Sequence, residues 1–235
     1  MEIRYHETTV DDEPQYAANR FKILVVGGRS SGKSAFIRRL KHNDFFQSEN
    51  ASSTDVTVIV RALHGTIVKA DLMEVDLSNF MANDVPSTQA KVHFVRHCFD
   101  VNGVVYLYDI TNKDTFEGID EAMSVLQRIV APDVDICLVG TKADLIDSRM
   151  ISYEVAEKKA VQLSFSLFET SAKTGINCEE VLLEVLDKLA ERRSEVREYL
   201  EENTEVYQNL TTTSEHEPVQ SSLLCWIPNL WRRRH

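Results

Sequence analysis

Positive charge is in short supply in this sequence: 26 lysines and arginines stand against 37 aspartates and glutamates, a formal net charge of −11 with a pI near 5.1. A protein that tracks nucleic-acid phosphates needs a broad basic face, so this balance argues against nucleic acid as a partner. Cysteine is sparse as well. Cys98, Cys137, Cys178 and Cys225 form no CxxC pair and no Cys/His cluster. That argues against a disulfide framework or a structural metal and fits a reducing cytosol. No apolar run is long enough to span a bilayer, and residues 1–20 lack the apolar centre of a signal peptide. These absences predict a cytoplasmic chain in which any lipid contact comes from a tail.

What is present is ordinary for a folded domain: 43% hydrophobic and 27% charged residues in 235, enough for one core with tails. Residues 1–20, with Asp11, Asp12, Glu13 and Pro14, lack apolar periodicity and read as a flexible acidic leader. From Phe21 onward apolar runs alternate with amphipathic stretches. Strands are expected at 21–26, 56–63, 66–75, 101–109, 136–139 and 165–168, with His64-Gly65 turning a hairpin between the second and third. Helices are expected at 33–41, 115–130 and 152–163. A last helix begins after Gly175-Ile176-Asn177, carries Val181, Leu182, Val185, Leu186 and Leu189 on one stripe, and runs toward Glu202. Such alternation predicts an α/β domain over 21–202 with a mostly parallel sheet. Residues 203–222, rich in Thr, Ser, Glu and Gln, read as a solvated linker, and 223–235 as an apolar tail ending in three arginines.

The chemistry starts at Gly27-Gly28-Arg29-Ser30-Ser31-Gly32-Lys33-Ser34, which fits G-x-x-x-x-G-K-[ST] between a strand and a helix. Glycines let the backbone curl so that N–H groups of Gly28, Arg29, Ser30, Ser31, Gly32 and the helix start at Ala35 face a phosphate. Lys33 neutralises the terminal phosphates, and the Ser34 hydroxyl can ligate Mg²⁺. Two later segments, Gly140-Thr141-Lys142-Ala143-Asp144-Leu145 and Glu169-Thr170-Ser171-Ala172-Lys173-Thr174-Gly175, each follow an apolar strand and together resemble a guanine pocket. A carboxylate at Asp144 can accept from the ring N–H and the exocyclic amine of guanine, whereas adenine offers no such donor pair on that edge. Thr141, Lys142, Ser171, Ala172 and Lys173 complete the candidate base site, with the Ala172 amide meeting the guanine carbonyl.

These motifs, in this order, resemble the Ras superfamily of small GTPases over roughly residues 21–189, and Tyr108-Asp109-Ile110-Thr111-Asn112-Lys113-Asp114-Thr115-Phe116 resembles the Rab branch. The resemblance implies a P-loop G domain: a six-stranded, mostly parallel sheet flanked by helices, with the nucleotide at the carboxyl ends of the strands. It implies GTP and GDP as ligands, Mg²⁺ as cofactor, and effector, exchange and activating proteins as partners.

The same resemblance exposes departures. In the family a D-x-x-G motif ends the third strand and a glutamine follows it; this sequence reads Asp76-Leu77-Ser78-Asn79-Phe80. Asp76 keeps the metal role, Asn79 stands where glycine is expected, and Phe80 cannot hold a water by hydrogen bonding. Asp71 is the alternative counterpart of Asp76, and no glycine follows it either. Arg29 occupies a loop position that is glycine in Ras, where the resemblance implies a modifier of hydrolysis; an arginine finger supplied in cis and an exposed loop arginine with no catalytic part are the alternatives. Thr54, with Thr57 in reserve, matches the threonine that closes over Mg²⁺, so the candidate metal set is Ser34, Thr54 and Asp76. The catalytic residue is not identified.

The reading is a guanine-nucleotide switch with slow GTP hydrolysis in intracellular signalling or membrane traffic. Its rival is a pseudo-GTPase that binds nucleotide without meaningful turnover; a P-loop nucleoside kinase would leave the paired guanine motifs unexplained. No C-a-a-X box is present, and Cys225 lies ten residues from the end. Leu223, Leu224, Trp226, Ile227, Leu230 and Trp231 beside the arginines suit a peripheral contact with an intracellular membrane or a partner's groove.

Overall fold

The near-continuous apolar run of the first strand cannot lie at a wetted surface, and it becomes the centre of a sheet covered on both faces. The computed structural model describes residues 19–45, 56–77, 98, 100–132 and 134–202. In chain order these form β1 (Arg20–Gly27), α1 (Lys33–His42), β2 (Thr57–Leu63), β3 (Thr66–Asp76), β4 (Gly103–Asp109), α2 (Lys113–Glu117) and α3 (Ile119–Leu126). Then come β5 (Asp135–Thr141), a single 3₁₀ turn (Ile146–Ser148), α4 (Tyr153–Leu163), β6 (Ser166–Glu169) and α5 (Cys178–Glu202). The six strands lie in the order β2-β3-β1-β4-β5-β6. Only β2 and β3 run antiparallel; every other neighbouring pair is parallel. This is the expected α/β sheet.

Strand alternation divides the core in two. Leu24 and Val26 of β1 point toward α3 and α4, where they pack with Val75, Tyr106, Leu138, Ile119, Leu126 and Ala156. Ile23 and Val25 point the other way, into Phe36 and Ile37 of α1 and Val181, Leu182, Val185 and Leu186 of α5. The α5 stripe is the one its helical spacing predicts. Burying each such side chain is worth about 1.5–3 kcal/mol relative to exposure, so an Ala at Leu186 would cost about 2–5 kcal/mol. The edge strand β2 alternates instead, with Val58 and Val60 exposed and Ile59 buried. At its end His64 and Gly65 both have positive φ, 48° and 79°, as the two centre residues of a type I′ hairpin turn require.

Two details differ from the sequence expectation. The helix expected over 115–130 is two helices: Asn112 starts α2 early by accepting from the Asp114 amide at 3.0 Å, and Gly118 separates α2 from α3. The apolar period continues across the break through Phe116, Ile119, Ala122, Met123 and Leu126, all buried, which is why pattern alone reads one helix. The helix also stops at Leu126, four residues early, and turns follow to Val130. The strands start and stop within two residues of their expected limits.

Strand order reverses at β1, whose parallel neighbours β3 and β4 lie on opposite sides. Open α/β sheets form a crevice outside the carboxyl ends of their strands at such a point. There Gly27, Asp76, Asp109 and Thr141 end four adjacent strands, and the candidate motifs converge.

Candidate functional site

The loop after β1 is shaped by contacts that only glycine tolerates at two positions. A Cβ on Gly27 would come 2.3 Å from the Leu107 carbonyl oxygen in the neighbouring strand, and Gly32, at φ 92°, would press on the Thr141 side chain. Ser30 also takes the left-handed conformation, at φ 62°. Together they fold the loop back over the start of α1, whose N-cap is Gly32, with no side-chain cap and no acid in the first turn. Uncapped amides at a helix start suit an anion.

Lys33 is turned inward, with only 5% of its surface exposed. Its ammonium donates to the carbonyls of Gly28 at 2.7 Å and Gly27 at 3.2 Å, and lies 3.9 Å from the Asp76 carboxylate. Burial pushes its pKa below the ordinary value, while Asp76 and then Glu74 pull it back up. A cation held this way is desolvated and aimed at the loop it serves. Asp76 pairs with Gly27 across the β1–β3 register, whereas Asp71 lies opposite Lys22 and bonds Arg20 at 2.7 Å. Of the two aspartates, Asp76 is the one beside the phosphate-type loop. Ser34 and Asp76 thus bring oxygen donors of the kind Mg²⁺ takes to one end of β1 and β3.

The second half of the site is assembled from the ends of β5 and β6. The Thr141 hydroxyl lies 2.8 Å from the Ser31 carbonyl and 3.0 Å from that of Tyr108, tying this half to the first. Buried in that tie, Thr141 positions the loop. Lys142, at φ 61°, swings its ammonium onto Asp109 at 2.5 Å, and Asp109 is itself held by the amide and hydroxyl of Thr111. Asp144 accepts from the Ser171 hydroxyl at 2.6 Å, with the Lys173 ammonium at 4.0 Å from its other oxygen. Ser171 Oγ in turn accepts from the Thr174 amide at 3.1 Å, and the Ala143 amide donates to the Thr170 carbonyl at 3.0 Å. The two loops therefore form one hydrogen-bonded unit, and the Asp144 carboxylate cannot turn freely.

Residues 22–191, most of the chain, match the model of the Ras family. The chain belongs to the Ras family.

Among its curated relatives, Ras-related protein Rab-26 of Mus musculus is 28% identical over 174 residues, covering 73% of this chain and 64% of that protein, so the match spans just under two thirds of that relative's length. GTP-binding protein ypt1 of Schizosaccharomyces pombe is 26% identical over 173 residues, 73% of this chain and 81% of that protein. Ras-related protein Rab-3C of Bos taurus is 26% identical over 217 residues, 92% of this chain and 91% of that protein. This member of the Ras family is accordingly Rab-like, and its sheet is the one the family resemblance implies.

In this Ras-family chain the structure brings Lys33, Ser34, Asp76, Lys142, Asp144, Ser171, Ala172 and Lys173 to the carboxyl edge of the sheet. Thr54, Asn79, Phe80 and the tail 223–235 lie outside the described residues; Thr57 opens β2. Three side chains hold site residues through partners that no sequence pattern marked, although Asp109 itself lies in the Rab-like stretch. Arg39 of α1 donates to the carbonyls of Ala172 at 2.6 Å and Lys173 at 2.9 Å, clamping the loop from across the fold. Asp109 holds Lys142, and Arg149 holds Glu169. Each partner is 20 or more residues away in sequence, so no local pattern marks it.

Proposed function

We propose that this Rab-like chain is a guanine-nucleotide switch that binds GTP and GDP with Mg²⁺ and turns GTP over slowly. The observation that supports it most is the Asp144 carboxylate fixed by Ser171, in a loop joined through Thr141 to the phosphate-type loop. A carboxylate held in one orientation selects a base with two adjacent donors, which guanine has and adenine lacks.

The roles follow from the residues. Gly28 to Ala35 supply amides to the phosphates, and Lys33 exchanges its carbonyl partners for phosphate oxygens of higher charge. Lys142 and Ala172 flank the base while Asp109 and Arg39 hold them in place. Mg²⁺ would be held by Ser34, Asp76 and Thr54, and it would neutralise charge between the phosphates. Order in the loops around Thr54 and Asp76 distinguishes the two states. Phe80, standing where the family has glutamine, favours the rival reading in which nucleotide is held and hardly turned over. As a switch, the chain needs effector, exchange and activating proteins, and residues 223–235 give it a peripheral membrane contact.

The test is competition. GDP and GTP should displace fluorescent mant-GDP from the purified full chain at concentrations far below those of ATP, and Asp144→Asn should move preference toward xanthine nucleotides. Equal displacement by ATP and GTP would overturn guanine selectivity.

A further inference from the structure

Ser34 does not stand alone at the start of α1. Its hydroxyl donates to Oε1 of Glu74 at 2.7 Å. Glu74 lies two residues before Asp76 on β3, so both carboxylates project from the same face of the sheet, the face covered by α1. Neither the family resemblance nor the metal set of Ser34, Thr54 and Asp76 includes this glutamate.

We propose that Glu74 is a positioning residue for the divalent cation: it accepts the hydrogen bond of the Ser34 hydroxyl and so turns the oxygen's lone pairs toward the metal. A hydroxyl has one proton and two lone pairs, and a cation on the oxygen drives the proton to the opposite side. There it needs an acceptor, and a carboxylate is the strongest a protein offers. Partners of this kind change metal affinity by about 10–100-fold when removed. The second charge also has a cost. Without metal, Glu74 and Asp76 both repel a polyphosphate, so Glu74 makes nucleotide retention depend more steeply on Mg²⁺.

This inference rests on the reading of Ser34 as a cation ligand in a guanine-nucleotide site. The experiment measures mant-GDP release from the full chain across a Mg²⁺ titration, for wild type, Glu74→Gln, Glu74→Leu, Ser34→Ala and the Ser34→Ala/Glu74→Leu pair, each checked for folding by thermal melt. Expected is a Mg²⁺ concentration for half-maximal retention about tenfold higher in Glu74→Leu, with Glu74→Gln, still an acceptor, in between. In EDTA, Glu74→Leu should release no faster than wild type. Adding Glu74→Leu to Ser34→Ala should produce no further rise, because the hydroxyl that donates to Glu74 is gone; a merely structural glutamate would give an additive effect. A wild-type midpoint in both Glu74 variants overturns the proposal while leaving nucleotide binding intact. Retention in wild type that ignores Mg²⁺ overturns it together with the metal role of Ser34. A wild type that fails to bind mant-GDP overturns the functional reading itself.

Discussion

Arg149 grips Glu169 through two parallel hydrogen bonds, Nη1 to Oε1 at 2.6 Å and Nη2 to Oε2 at 2.7 Å. The arginine follows the 3₁₀ turn that leaves the Asp144 loop, and the glutamate ends β6 just before Thr170 and Ser171. The pair therefore ties the segment after the Asp144 loop to the start of the Ser171 loop, and Arg149 also donates to the Ile151 carbonyl at 3.1 Å. Planar two-point pairing is specific to guanidinium.

Arg149→Ala should lower stability by about 1–3 kcal/mol, since a largely covered carboxylate loses its partner. It should also speed mant-GDP release, because the Ser171 loop loses its anchor. Arg149→Lys should recover only part of both, a point charge being unable to hold two oxygens. Thermal melts and stopped-flow release measure this; a lysine variant equal to wild type would show that only charge matters.

Single-turnover GTP hydrolysis should run below the intrinsic Ras scale of roughly 10⁻⁴ s⁻¹, because a phenyl ring at position 80 cannot orient water. The double change Asn79→Gly with Phe80→Gln should raise the rate above that of either single change, the glycine freeing the loop and the glutamine holding the water. A wild-type rate well above that scale without added protein would sink the assignment and redirect attention to Arg29.

Three buried thiols give the fold an alkaline weakness. Burial pushes Cys98, Cys137 and Cys178 up to about 12 from 9.0, and it also raises Tyr106 and Tyr108. Their folded values lie above their unfolded ones. The fold thus keeps protons that the unfolded chain sheds, and the contribution is complete below pH 9 and lost as pH climbs toward 12. Lys22 and Lys33, lowered by burial, act in the opposite sense above neutrality. Comparison with Cys137→Ala isolates one thiol: the melting temperature of wild type relative to this variant should fall between pH 8.5 and 11. A constant difference across that range would refute it.

Residues 223–235 carry two tryptophans, aliphatic neighbours and three arginines, each arginine worth about 1 kcal/mol near an anionic surface. The intact, unmodified chain should cosediment with anionic vesicles at low salt and not with neutral ones, and removing residues 222–235 should abolish the effect. Failure to bind anionic vesicles would rule out direct lipid contact and point to a protein groove or to a lipidated Cys225.

Local chemistry marked the Gly27–Ser34 loop, the two motif segments that follow β5 and β6, and the six strands, because each is written in consecutive residues. Gly27 and Gly32 sit where only glycine fits; Ile23 to Val26 are apolar because both faces of β1 are covered. The His64-Gly65 turn and the α5 stripe were legible for the same reason: short-range sterics and periodicity fix them before any long-range contact forms. The break at Gly118 was not, since apolar spacing continues across it.

Tertiary structure alone decided which aspartate meets the loop. Asp71 and Asp76 sit on one strand, and only the register of β3 against β1 puts Asp76 beside Gly27 and Lys33. It alone paired Ser34 with Glu74, Lys142 with Asp109, Arg39 with Ala172 and Arg149 with Glu169. Motifs name the residues that touch a ligand, because those must be of one type at one spacing. The groups that hold them arrive from distant strands and helices, and their place is set by how the sheet is ordered, which no neighbouring residue records.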